Sequence, residues 1–234
     1  MSKILTVRDL SVAFGDHIVL KNISFDLDAS ESLAIIGPNG SGKTVFLKTL
    51  LGLYSHRGTI AWSSEAKIAY VPQKIDADRH LPINLKDLLE AKARIKKLPR
   101  RDIEDASKTV GLTPEILKTP IGHLSGGQFQ KALIAFALLG NPNVMLFDEP
   151  TASLDELSEE HVYDLIHELQ DSRGITVILV SHDLSVVSQY ATKVLCLNKE
   201  AVCFGSPEEA LTPQMLQKLY ASHKYVHHVH EHDH

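Results

Sequence analysis

The stretch "GPNGSGKT", residues 37–44, sets three glycines at fixed offsets ahead of a lysine and a threonine. Such glycines let a backbone turn its N–H groups inward around phosphate oxygens, and a following helix adds partial positive charge at its N-terminus. The sequence offers that helix in "VFLKTLLGLY" and a preceding strand in "SLAIIG". Gly37, Asn39, Gly40, Ser41, Gly42, Lys43, Thr44 and Val45 are therefore the candidate cradle for nucleotide phosphates. Lys43 is expected to reach the β- and γ-phosphates and the Thr44 hydroxyl to ligate Mg²⁺. A plain glycine-rich turn, the competing reading, would need neither the strand nor the helix.

A second constellation closes "NVMLFDEP", residues 143–150. An aliphatic strand ending in a carboxylate suits Asp148 as a holder of Mg²⁺, directly or through water. The adjacent Glu149 is placed to orient or deprotonate an attacking water. Alone, two carboxylates at a strand end read equally as a solvated loop; beside the phosphate loop that alternative loses. A third apolar run, "ITVILVS" (175–181), ends at His182.

These residues require strands covered on both faces, because their apolar runs are continuous rather than alternating. Between the last two runs, Val162, Leu165, Ile166 and Leu169 recur at helical spacing, and Gly174 stands where such a helix would stop. Strand, helix and strand imply a parallel unit with a right-handed crossover. The N-terminal "KILTVRDLSVAFGDHIVLKNISFDL" alternates instead, as half-exposed antiparallel strands do, and "GTIAWSSEAKIAYVPQ" (58–73) reads the same way. From about residue 83 to 122 the pattern turns helical and charged, broken by Pro99. One last helix is expected over "PEEALTPQMLQKLY".

With 234 residues, 44% hydrophobic and 23% charged, the chain has the composition of a soluble globular protein with one large domain. A net charge of −5 argues against nucleic acid as the main partner. No apolar run approaches the roughly 18 residues of a membrane span, and "MSKILTVRDL" is no secretory signal. Cys196 and Cys203 face each other if a hairpin turns at Lys199-Glu200. In a reducing compartment they are expected as buried thiols rather than a disulfide or a metal pair.

"LSGGQ" (124–128) identifies the family. Together with "GPNGSGKT", "VPQ", "MLFDEP", "SLD" and "SHD" in that order, it makes residues 1 to about 215 resemble ABC-type ATPase subunits. The resemblance implies an α/β fold. Its mostly parallel core is of the P-loop, RecA-like type, with an N-terminal antiparallel β subdomain and an inserted α-helical subdomain at about 74–128. The ATPase domain would span 1–220. The resemblance also implies ATP with Mg²⁺, and two copies arranged head to tail. Each ATP would lie between one copy's phosphate loop and Ser125, Gly126, Gly127 and Gln128 of the other. In this pattern Gln73 senses Mg²⁺ and water, His182 bonds the γ-phosphate, Asp155 links the two sites, and Glu149 is the general base. Phe14 stands where the family stacks an aromatic on adenine. A core phenylalanine is the alternative for that residue. Lys131 and Phe136 replace arginines common after the signature, which puts family salt bridges there in doubt.

One cassette without a membrane span implies separate transmembrane permease subunits, served indirectly by a solute-binding protein. It also implies a peripheral place on the cytoplasmic face. "YVPQK", Leu81-Pro82 and "VLCLNKEAVCFGSPEE" resemble the zinc-type branch of metal importers. Another metal or an iron chelate, or a soluble ABC ATPase, remain the alternatives. Finally, six of the last twelve residues are histidine: His223, His227, His228, His230, His232 and His234. With nearby carboxylates they suit Zn²⁺, and they are expected to sense or buffer metal. A solvated tail without such a role is the alternative.

Overall fold

The computed structural model describes residues 2–73, 82–152 and 154–220. Two sheets organise them. The first is antiparallel, with β1 (Lys3–Phe14) between β2 (His17–Asp28) and β4 (Arg57–Trp62). The second has six strands. β5 (Ile68–Val71), β6 (Val144–Asp148), β7 (Thr176–Val180), β3 (Ser32–Ile36) and β8 (Lys193–Asn198) run parallel. β9 (Glu200–Gly205) closes the far edge antiparallel to β8.

Every residue of β3, β6 and β7 is buried, which is what continuous apolar runs require of central strands. Alternate side chains serve different cores. Val144 and Leu146 face the cluster shared with β1, β2 and Phe46, whereas Met145 and Phe147 face helices on the other side. Truncating a fully buried side chain such as Phe147 to alanine costs about 3–5 kcal/mol. α1 (Lys43–Leu50) lies in the first core, and α6 (Glu156–Arg173) in the second. Asp155 caps α6 at its start, and Gly174 ends it in the left-handed conformation.

Helices α2 (Leu85–Lys96), α3 (Arg100–Thr109) and α4 (Pro114–Lys118) lie within the helical insertion, and α5 (Gly126–Leu138) starts at its end and leads back to β6. Asn84 caps α2, and Leu85, Leu89 and Ala93 bury one face at four-residue spacing. Lys97 and Leu98 part α2 from Pro99, which caps α3.

Three expectations need correction. β5 is not a second antiparallel strand but the parallel edge strand next to β6, because Ile68–Val71 pairs with Val144–Phe147. After α7 (Leu184–Tyr190), the C-terminal segment makes two helices, α8 (Pro207–Ala210) and α9 (Pro213–Tyr220), since Pro213 removes an N–H and starts a new helix. Cys196 and Cys203 are joined by a disulfide. They are direct partners across the β8–β9 hairpin with Cα atoms 4.9 Å apart, and that proximity overrides an argument from compartment. Among the described residues no helix is long and apolar enough to cross a membrane.

Candidate nucleotide-binding site

The phosphate loop leaves β3 at Gly37 and enters α1 at Lys43. A Cβ on Gly37 would stand 2.0 Å from the Leu197 carbonyl oxygen, so only glycine passes the end of β8 here. Gly42 has φ of 100° and a Cβ there would meet Leu20 at 2.7 Å. This glycine also occupies the N-cap of α1 without any side-chain acceptor, which leaves first-turn N–H groups for an anion. Lys43 is buried and donates to the carbonyls of Gly37 (2.9 Å) and Pro38 (3.2 Å). Burial pushes its pKa down, opposed by Glu149 and Asp148. Ser41 Oγ is buried with no hydrogen-bond partner among the described residues. An orphaned donor, a buried ammonium on carbonyls and an uncapped helix start all fit a phosphate chain. Asn39 and Gly40 are exposed on the loop, while the Val45 side chain packs into the core, so only its backbone can serve a ligand.

Asp148 ends β6 with 2% exposure. Its Oδ1 accepts from Thr44 Oγ1 (3.0 Å) and its Oδ2 from Tyr70 OH (3.1 Å). Burial raises its pKa, and the two hydroxyls hold the rise in check. A hydroxyl beside a carboxylate at the mouth of a phosphate loop is a donor set that suits Mg²⁺. Glu149 follows with φ of 49°, a left-handed conformation that costs a glutamate about 1–3 kcal/mol and clusters at functional sites. Its Oε1 lies 2.6 Å from His182 Nε2, and its Oε2 accepts from Gln73 Nε2 at 2.6 Å.

Lys43, Thr44, Gln73, Asp148, Glu149 and His182 thus converge at the carboxyl ends of β3, β5, β6 and β7. A second group gathers where α5 meets α6. Ser125 and Gln128 form a reciprocal capping box on α5, which Gly126 opens. Gly127 approaches Ser158 so closely that a Cβ would lie 3.2 Å from its hydroxyl. Asp155 holds the same Ser158 through backbone N–H (3.0 Å) and hydroxyl (2.9 Å), and these bonds lower its pKa. Phe14 is 48% exposed, not core, and rests edge-to-face on Tyr54 at 5.2 Å. Phe136 accepts the Lys92 ammonium on its ring face, 4.2 Å from the centroid, and on its carbonyl oxygen. A cation of α2 thus lies against the Phe136 position of α5. The six tail histidines lie outside the described residues, and no metal-binding cluster is present among those described.

Sequence reasoning missed Tyr70 and Tyr163. The Tyr163 hydroxyl sits 3.0 Å from Thr151 Oγ1 and 3.2 Å from Ser181 Oγ, tying the chain after Glu149 to the residue before His182. Tyr70 had one signal: it stands three residues ahead of Gln73.

The family model for ABC transporters matches residues 20–152. A zinc import ATP-binding protein of Photorhabdus laumondii is 37% identical over 224 residues, covering 95% of this chain and 86% of that protein. One from Psychrobacter cryohalolentis is 37% identical over 237 residues, covering 100% and 97%. Among solved structures, cbiO1 of Clostridium perfringens, part of the transporter complex cbiONQ, aligns with a TM-score of 0.80 and 27% identity. That match covers 95% of this chain and 96% of the other.

Proposed function

We propose that this chain, which belongs to the ABC transporter family as an ATP-hydrolysing subunit, drives import of a divalent metal, zinc before manganese, nickel or an iron chelate. The observation that carries the engine is the hydrogen-bonded set Thr44–Asp148 and Gln73–Glu149–His182 beside the phosphate loop. The likeness to zinc import proteins carries the cargo.

In this reading ATP lies along Gly37–Val45 with adenine on Phe14, and Lys43 leaves its loop carbonyls for the β- and γ-phosphates. Thr44 and Asp148 would hold Mg²⁺, with Gln73 nearby; the ion neutralises phosphate charge when bound. Glu149 positions and deprotonates the water, and His182 bonds the γ-phosphate. Ser125, Gly126, Gly127 and Gln128 of a second copy complete each site, and Asp155 links the two. Residues 1–220 form the ATPase domain, with the helical subdomain at about 74–128. A groove between β5, α2 and α5, lined by Lys67, Lys92 and Lys96 with Tyr70 and Phe136, suits an acidic helix of a transmembrane permease at the cytoplasmic face. A solute-binding protein would load that permease. The tail, 221–234, would bind zinc through its histidines.

The test is growth under chelation of a strain lacking this protein, with rescue by single metals. Rescue by zinc alone is expected; rescue by another metal, or no metal phenotype, overturns the cargo. Deleting residues 223–234 should weaken zinc binding and alter zinc-dependent transport. If both are unchanged, the tail has no such role.

A further inference from the structure

Tyr70 lines the groove given above to the permease, yet its phenol hydroxyl reaches the most buried carboxylate of the nucleotide site. β5 pairs with β6 so that Tyr70 lies opposite Leu146, two residues before Asp148. From there Tyr70 OH donates to Asp148 Oδ2 (3.1 Å), while Thr44 Oγ1 donates to Oδ1 (3.0 Å) from the other element. Asp148 is 98% removed from water, so these hydroxyls take the place of hydration.

A carboxylate on a strand end turns about its terminal torsion in a broad, two-fold well. Held on one oxygen only, it would sample orientations that present no lone pair to a cation beside Thr44. Held on both, it has one. The Tyr70 hydroxyl is the donor of this pair, because an ionised carboxylate offers only acceptors.

We propose that Tyr70 is a positioning residue for the Mg²⁺ site, fixing the Asp148 carboxylate in the orientation that receives the cation held with Thr44. This rests on the ATP and Mg²⁺ roles given above. The phenol touches neither nucleotide nor water; it acts through Asp148. The same residue begins the segment that carries Gln73, so the strand that orients Asp148 also delivers a partner of Glu149.

Tyr70→Phe removes the hydroxyl and keeps the ring in its half-buried place. In the full chain carrying Glu149→Gln, ATP-driven dimerisation is followed by light scattering against Mg²⁺ concentration. ATP affinity in EDTA and the melting temperature are measured alongside. A bond to a buried charge predicts that the half-saturating Mg²⁺ concentration rises roughly tenfold. ATP affinity in EDTA and melting should stay within twofold and about 4 °C of the parent. An unchanged Mg²⁺ curve overturns the inference. So does an equal loss of ATP affinity in EDTA, or a larger fall in melting, since either marks a general structural role. If the parent itself binds no ATP or forms no Mg²⁺-dependent dimer, the proposed function fails instead, and the two failures are distinguishable.

Discussion

Glu149→Gln separates chemistry from structure because the two costs differ by orders of magnitude. The carboxylate holds two bonds of 2.6 Å, to His182 Nε2 and Gln73 Nε2. An amide keeps the shape but has one acceptor and one donor, so it satisfies both partners only when neutral His182 offers Nε2 as acceptor. What goes is charge assistance, which is worth roughly 1 kcal/mol at a site open to water. In a domain of this size that lowers melting by about 2–4 °C. Losing a general base instead costs about 10²–10⁴ in rate, or roughly 2.7–5.5 kcal/mol of barrier. The assays are ATP turnover, dimerisation on ATP and thermal melting of the purified full-length chain. Turnover should fall at least about a hundredfold while ATP accumulates in a persistent dimer. Turnover above about one-tenth of the parent, with melting intact, would refute Glu149 as the base.

Ser125→Ala removes the acceptor that caps Gln128 N and should cost about 1 kcal/mol of stability, yet abolish turnover while ATP affinity holds. A strictly monomeric variant that split ATP at full speed would end the two-copy reading. Gly37→Ala forces a Cβ within 2.0 Å of the Leu197 carbonyl, so it should lose roughly 1–3 kcal/mol or more and bind nucleotide poorly, read by melting and ATP titration. Lys92, whose pKa burial brings down to about 8 with help from Lys96, should show its half-maximal acylation rate near pH 8, followed by mass spectrometry. Its folded value lies below the unfolded one, so its penalty acts in full below pH 8 and fades as pH rises toward 10.5. Lys92→Met removes that penalty together with the contacts to Phe136, so its stability relative to the parent should be highest below pH 8 and fall as pH rises above it.

The phosphate loop, Asp148, Glu149 and His182 were legible because each belongs to a local pattern: apolar run, special residue, helix or turn. The inserted helices were legible too, through a helical, charged pattern from about residue 83 to 122 broken at Pro99. Sheet membership was not. "KIAYV" is too short to say which sheet it joins, and only pairing with Val144–Phe147 decides it. Nor was Tyr70, whose partner lies 78 positions away. Local pattern carries no term for a contact of that span. The disulfide differs: a hairpin at Lys199-Glu200 does set Cys196 opposite Cys203, and an expectation from redox compartment carries no information about that pairing.

The distribution of these contacts says which parts of the site are rigid. Thr151, Tyr163 and Ser181 lock the tips of β6 and β7 together, so Glu149 and His182 share one support within the core. Gln73 reaches the same carboxylate from beyond β5, on the segment that leads to the helical insertion. Glu149 is thus held by one partner from the neighbouring strand tip and by one from beyond β5. On the far side, Arg173 of α6 ties α3 to the core through Asp105 at 2.9 Å. That pair is exposed and worth under about 1 kcal/mol, so the apolar packing of Ile103, Ala106 and Val110 carries most of the attachment. The bond from Gln73 is thus the contact of the Glu149 carboxylate made from outside the β6 and β7 tips.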